Sequence, residues 1–119
     1  MAIRVFIADD HAVLRSGLRA LLEREQDIEV VGEAESGLDT LRGLEEAAVD
    51  VLLLDVSMPG LSGARTAQEL LRRCPALAIV VLTMHEDEYY LQEMLRIGAR
   101  GYVLKKSSGT ELVHAIRAA

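Results

Sequence analysis

Five short apolar runs, separated by segments of helical period, constrain the fold of this chain more than any other feature. Ile3-Arg4-Val5-Phe6-Ile7-Ala8 stops at Asp9-Asp10. Ile28 to Ala34 forms the second run. Val51-Leu52-Leu53-Leu54 stops at Asp55, Ile79-Val80-Val81-Leu82 stops at Thr83, and Tyr102-Val103-Leu104 stops at Lys105. The intervening segments carry leucines at helical spacing. Residues 12–24 place Leu14, Leu18, Leu21 and Leu22 on one face, with Asp10 expected at or near the N-cap. Leu38, Leu41 and Leu44 mark a second helix ending near Ala48. Residues 64–73 form a third, with Ala67, Leu70 and Leu71 inward. Tyr90, Leu91, Met94 and Leu95 mark a fourth, stopped by Gly98. Leu112, Val113 and Ile116 face inward on a last helix from about Ser108.

Strands at 3–8, 28–34, 51–54, 78–82 and 101–104 alternating with five helices give (βα)5. Right-handed crossovers make this a doubly wound parallel α/β sheet. The third strand is apolar throughout, as expected where helices cover both faces. Pro59 and Gly60 mark a turn after it. The 119 residues suit one domain, with no repeat, low-complexity tract or linker. One Phe, three Tyr and no Trp leave the core to aliphatic side chains.

Several function classes are disfavoured. The net charge is −6 and the pI about 5.0, with no basic stripe, which argues against a nucleic-acid or membrane binder acting alone. Cys74 is the single cysteine, so no internal disulfide is available; it reads as a small, partly buried residue. No apolar stretch approaches the roughly 20 residues that span a bilayer. A cytoplasmic location is expected, with no signal-peptide layout at the N-terminus.

In an open parallel sheet the carboxyl ends of the strands share one edge, where ligands bind. Asp9, Asp10, Asp55, Thr83 and Lys105 all fall there. Two carboxylates about 4 Å apart repel by roughly 4 kcal/mol at an effective dielectric of 20. Three together call for a cation, and hard oxygen ligands with room for water suit Mg²⁺. Mg²⁺ and the Lys105 ammonium together balance the three acids and would offset the charge of an arriving phosphoryl group. A carboxylate can also act as a phosphoryl nucleophile. Asp55, ending the central strand, is the best candidate.

These residues sit in four blocks: Asp9-Asp10-His11; Leu54-Asp55-Val56-Ser57-Met58-Pro59-Gly60 with Gly63; Leu82-Thr83-Met84-His85; and Gly98-Ala99-Arg100-Gly101-Tyr102-Val103-Leu104-Lys105-Lys106. In that order they resemble the receiver domain of a two-component response regulator over the whole chain, 1–119. The first and last blocks are most similar to the NarL/FixJ subfamily, whose members usually carry a C-terminal helix-turn-helix DNA-binding domain. The resemblance implies a flavodoxin-like strand order 2-1-3-4-5. It implies that a sensor histidine kinase phosphorylates Asp55 in a Mg²⁺-dependent reaction. Asp9, Asp10, Asp55 and the backbone carbonyl of Ser57 would hold the ion. Lys105 would pair with Asp55 or the phosphoryl oxygens. Thr83 would bond the phosphoryl group, and Tyr102 would swing from an outward to an inward rotamer. The domain would turn over no metabolite, catalysing only its own phosphorylation and dephosphorylation. It would regulate an attached output domain, expected to be transcriptional, through receiver–receiver pairing or contact with that domain. DNA would be reached only through that C-terminal domain, and no membrane would be involved.

Other readings fit less well. A Mg²⁺-dependent phosphohydrolase usually needs a second acid two residues beyond its nucleophile, where this chain has Ser57. A flavin-binding module wants a hydroxyl- and glycine-rich loop after the first strand, not Asp9-Asp10-His11. A pseudo-receiver that no longer takes phosphate is the remaining alternative, against which the full acid, Thr and Lys set argues. His11 reads as a surface residue, because imidazole is a poor partner for Mg²⁺, and His114 reads as a surface residue of the last helix. Lys106 reads as solvated. His85 and Ser57, each two beyond a site residue, are expected to tune the lifetime of the phosphoryl group.

Overall fold

The apolar runs become strands because β-branched and leucine side chains on both faces can be buried at once, which only a sheet with helices on each side permits. The computed structural model describes residues 2–56, 58, 62–83, 88–105 and 109–119, and of residues 88 and 89 the backbone. The chain runs β1 (Ile3–Ala8), α1 (Ala12–Glu23), β2 (Ile28–Ala34), α2 (Gly37–Glu46), β3 (Val51–Asp55), α3 (Gly63–Arg73), β4 (Ala78–Thr83), α4 (Glu88–Ile97), β5 (Gly101–Leu104) and α5 (Gly109–Ala118). The five strands lie in the order β2-β1-β3-β4-β5, all pairings parallel. This is the expected flavodoxin-like arrangement.

Strand alternation divides the core in two. Val5, Ile7, Leu53, Val80, Leu82 and Val103 face Leu22 of α1 and Leu112, Val113 and Ile116 of α5. Phe6, Ala8, Leu52, Leu54, Ile79 and Val81 face Leu41 of α2, Ala67 and Leu70 of α3, and Leu91 and Met94 of α4. Helices α2 and α3 start alike. Ser36 Oγ accepts from the Asp39 amide and Ser62 Oγ from the Arg65 amide. Thr40 and Thr66 each donate their hydroxyl to the main-chain carbonyl of the capping serine, at 2.7 and 2.9 Å. Those bonds let two threonines be fully buried.

Some sequence expectations need correction. Leu38 is 52 % exposed; the buried side of α2 is Gly37, Thr40 and Leu41, because the satisfied Thr40 hydroxyl frees a polar residue to take the inward position. Leu95 is 47 % exposed, and α4 packs through Tyr90, Leu91, Met94 and Ile97 instead. The second helix ends at Glu46, not near Ala48. Cys74 is exposed rather than partly buried, since it follows the last residue of α3. Asp10 lies near the N-cap of α1, one residue before it; His11 holds the N-cap position without a side-chain cap bond. The turn at Pro59 and Gly60 and the helix start at Ser108 lie outside the described residues.

Among the described residues, Gly98 and Gly63 sit where the backbone itself disfavours a side chain. Gly98 ends α4 at φ +130°, where an L side chain is strained, and a Cβ there would lie 2.9 Å from Leu71 Cδ1. Gly63 opens α3 against the chain just past Asp55, where a Cβ would meet Val56 Cα at 3.0 Å.

Candidate functional site

Register brings the acids together. Ala8 pairs with Leu54, so the next residues, Asp9 and Asp55, leave neighbouring strands side by side. Asp55 pairs with Leu82 and Thr83 with Leu104, which puts Thr83 and Lys105 at the same edge. Asp55 and Thr83 are thus the last residues of their strands, not the first beyond them. The Lys105 amide donates to the Thr83 carbonyl at 2.7 Å.

Asp9 and Asp55 are wholly buried and Thr83 nearly so. Lys105 reaches back between the two acids, its Nζ 3.1 Å from Asp9 Oδ2 and 2.9 Å from Asp55 Oδ2. These contacts are ion pairs by distance, without the direction of hydrogen bonds. The resemblance implies that Lys105 pairs with Asp55 or the phosphoryl oxygens; in the structure it lies against Asp9 as well as Asp55.

Asp9 is held from three sides. Its amide donates to the Ala34 carbonyl of β2 at 3.0 Å. Its Oδ1 accepts from the His11 amide at 2.8 Å. Its main-chain carbonyl accepts from Arg15 Nη1 of α1 at 2.6 Å. Arg15 in turn donates through Nε to Glu33 Oε1 of β2 at 2.9 Å, and Arg19 pairs with the same carboxylate. Burial pushes the Glu33 carboxyl up, but hydrogen bonds from Arg19 and Arg15 outweigh it and hold the group below its ordinary range.

Neither Arg15 nor Glu33 was singled out from the sequence. Two opposite charges eighteen residues apart give no signal until α1 and β2 are docked. His11 is exposed, as expected of a surface residue, yet its Nδ1 lies 3.2 Å from both Asp9 Oδ1 and Asp10 Oδ1. His114 is exposed. Tyr102, two residues before the end of β5, is 49 % exposed. Ser57, His85 and Lys106 lie outside the described residues, so the expectations on them do too.

The donor set fits a hard divalent cation. One ligand atom from each of Asp9, Asp10, His11 and Asp55 lies within 4.8 Å of the others. Asp9 Oδ2 and Asp10 Oδ1 are buried and accept no hydrogen bond from the described residues. Three carboxylates against one ammonium leave two negative charges, and carboxylate oxygen donors suit a hard cation such as Mg²⁺. Among the described residues no helix is long and apolar enough to cross a membrane.

Known proteins share this fold and family. The family described as the response regulator receiver domain matches residues 5–117. The oxygen regulatory protein NreC of Staphylococcus epidermidis is 42 % identical over 116 residues, covering 97 % of this chain and 53 % of that protein. The signal receiver domain of the putative response regulator NarL from Mycobacterium tuberculosis superposes with a TM-score of 0.92 at 32 % identity, over 98 % of this chain and 94 % of that one. RcsB of Salmonella enterica serovar Typhimurium, solved on promoter rprA with the phosphomimetic BeF3−, gives a TM-score of 0.89 at 36 % identity, over 97 % of this chain and 66 % of that one. The chain spans about half the length of the curated relatives it matches.

Proposed function

Because the chain belongs to the response regulator receiver domain family and is of NarL/FixJ type, we propose that it is a phosphorylation-driven switch whose acceptor is Asp55. The observation that carries this is the position of Asp55: buried, last on the central strand, and 2.9 Å from the Lys105 ammonium. A carboxylate oxygen of Asp55 attacks the phosphorus of a phosphohistidine on a sensor kinase. An O–P bond forms, the N–P bond breaks, and the departing imidazole keeps the electron pair and takes up a proton. Lys105 neutralises charge on the phosphoryl oxygens, and the Thr83 hydroxyl donates to one of them. Asp9, Asp10, Asp55 and the Ser57 carbonyl would hold Mg²⁺, which supplies further charge neutralisation at the phosphoryl group.

Drawing Thr83 toward the phosphoryl group would vacate space at the end of β4. Tyr102 would turn inward to fill it, changing the surface around α4, β5 and α5. In the full protein this change would control an output domain, with transcription the expected readout, in the cytoplasm. Receiver–receiver pairing is one way to transmit it, and DNA would be touched only by the C-terminal domain. The domain would carry out no chemistry beyond gain and loss of its own phosphoryl group. The assembled acids and lysine weigh against a pseudo-receiver.

Incubation with acetyl phosphate and Mg²⁺, followed by intact-mass measurement, tests the reading. A gain of one phosphoryl group that EDTA abolishes supports it. A gain that persists in EDTA, or in Asp55→Asn, contradicts it.

A further inference from the structure

The carboxylate of Asp9 has to point into a buried site that already carries excess negative charge. The His11 amide holds Oδ1 directly at 2.8 Å, and the two peptide groups that flank Asp9 are fixed from outside the site. The amide is tied to Ala34 of β2 and the carbonyl is tied to Arg15 of α1, at 3.0 and 2.6 Å. Arg15 is only 17 % exposed, and its Nε is committed to Glu33. The planar guanidinium therefore spans two acceptors at once, which a lysine cannot do with the same directionality. Glu33 is further held by Arg19, which also pairs with Glu23 one turn along α1.

We propose that Arg15 is a positioning residue for the cation site: by bonding the Asp9 carbonyl while Glu33 holds the guanidinium, it sets the direction of the Asp9 carboxylate and so the affinity for a divalent cation. This rests on the reading of the acids as a Mg²⁺ site. Partners that orient a metal ligand typically change affinity by 10-fold or more when removed. Charge alone acts with the opposite sign. Arg15 is a cation beside an acidic site, so deleting its charge without any loss of positioning tightens Mg²⁺ binding.

Isothermal titration of Mg²⁺ into the wild-type chain, Arg15→Gln and Arg15→Lys separates these effects. Wild type is expected to bind, and Arg15→Gln to bind about tenfold more weakly. The amide resonances of Asp9 and His11 should move in the variant while those of β4 stay. Arg15→Lys keeps the charge but loses the two-acceptor geometry, and is expected to bind a few-fold more weakly, on the order of threefold. It serves as the deciding variant should Arg15→Gln fail to fold. Affinity in Arg15→Gln equal to or tighter than wild type, or unchanged affinity in Arg15→Lys, overturns the proposal. A wild-type chain that binds no Mg²⁺ overturns the cation-site reading, and this inference with it.

Discussion

Lys105 Nζ stands 2.9 Å from Asp55 Oδ2, with both side chains almost entirely out of water. The same ammonium lies 3.1 Å from Asp9 Oδ2, so one cation serves two buried carboxylates. Breaking a buried ion pair from one side leaves uncompensated charge and costs about 3 kcal/mol or more. Lys105→Met should therefore lose stability of about that size in EDTA, and Mg²⁺ should restore part of it. Urea unfolding with and without Mg²⁺ measures both, and an unchanged midpoint in EDTA would count against the pairing.

Asp55→Asn should behave in the opposite way. It removes one of three crowded carboxylates while Lys105 keeps Asp9, so stability in EDTA should equal or exceed wild type. Mg²⁺ should then stabilise the variant less than it stabilises wild type. Thermal melts across a Mg²⁺ series report this directly. An Asp55→Asn chain less stable than wild type in EDTA would show that Asp55 contributes more as an ion-pair partner than it costs as a third acid.

Gly63 lets α3 start directly against the backbone beyond Asp55. In Gly63→Val the Cβ meets Val56 Cα at 3.0 Å, and backbone cannot rotate aside as a side chain can. A loss of about 1–3 kcal/mol is expected in urea unfolding, together with weaker Mg²⁺ binding as the segment after Asp55 is displaced. Wild-type stability and affinity in that variant would mean α3 shifts at no cost.

Acid should destabilise the domain through its ion pairs. Hydrogen bonds from Arg72 and then Arg73 hold Glu69 at about 2, from an ordinary 4.5. Asp27 is lowered chiefly by Arg117 and Asp50 chiefly by Arg4. A carboxyl depressed in the folded state adds stability above its unfolded pKa and loses it as pH falls through the folded one. For Glu69 that window runs from 4.5 down to about 2. Glu69→Gln should flatten this part of the pH–stability curve. Because these groups are half-buried at the surface, high salt should shrink the difference between the two proteins. Parallel curves for both would contradict the assignment.

The chemistry-bearing residues were legible because each one ends an apolar run. Asp9, Asp55, Thr83 and Lys105 could be assigned to one sheet edge from strand periodicity alone, and the register of β1, β3, β4 and β5 brings them there. What the sequence hides is anything that depends on how a helix is rotated on the sheet. Leu38 and Leu95 are apolar yet exposed, because the inward side of α2 and α4 is set by what each helix packs against rather than by the hydropathy of one residue. Arg15 and Glu33 look like solvated charges until α1 lies on β2, when they tie down the Asp9 peptide. Asp10 looks like a helix cap because its type suits that role, but its carboxylate turns toward His11 and the other acids.

The central claim is that Asp55, among three clustered acids, takes the phosphoryl group. Borohydride reduces an acyl phosphate but leaves a free carboxylate, so treating the acetyl-phosphate-labelled protein and sequencing its peptides by mass spectrometry identifies the acceptor. Homoserine at position 55, formed only when Mg²⁺ is present, is the predicted result. Homoserine at position 9 or 10, or none anywhere in protein that demonstrably binds Mg²⁺ and carries the label, would contradict it.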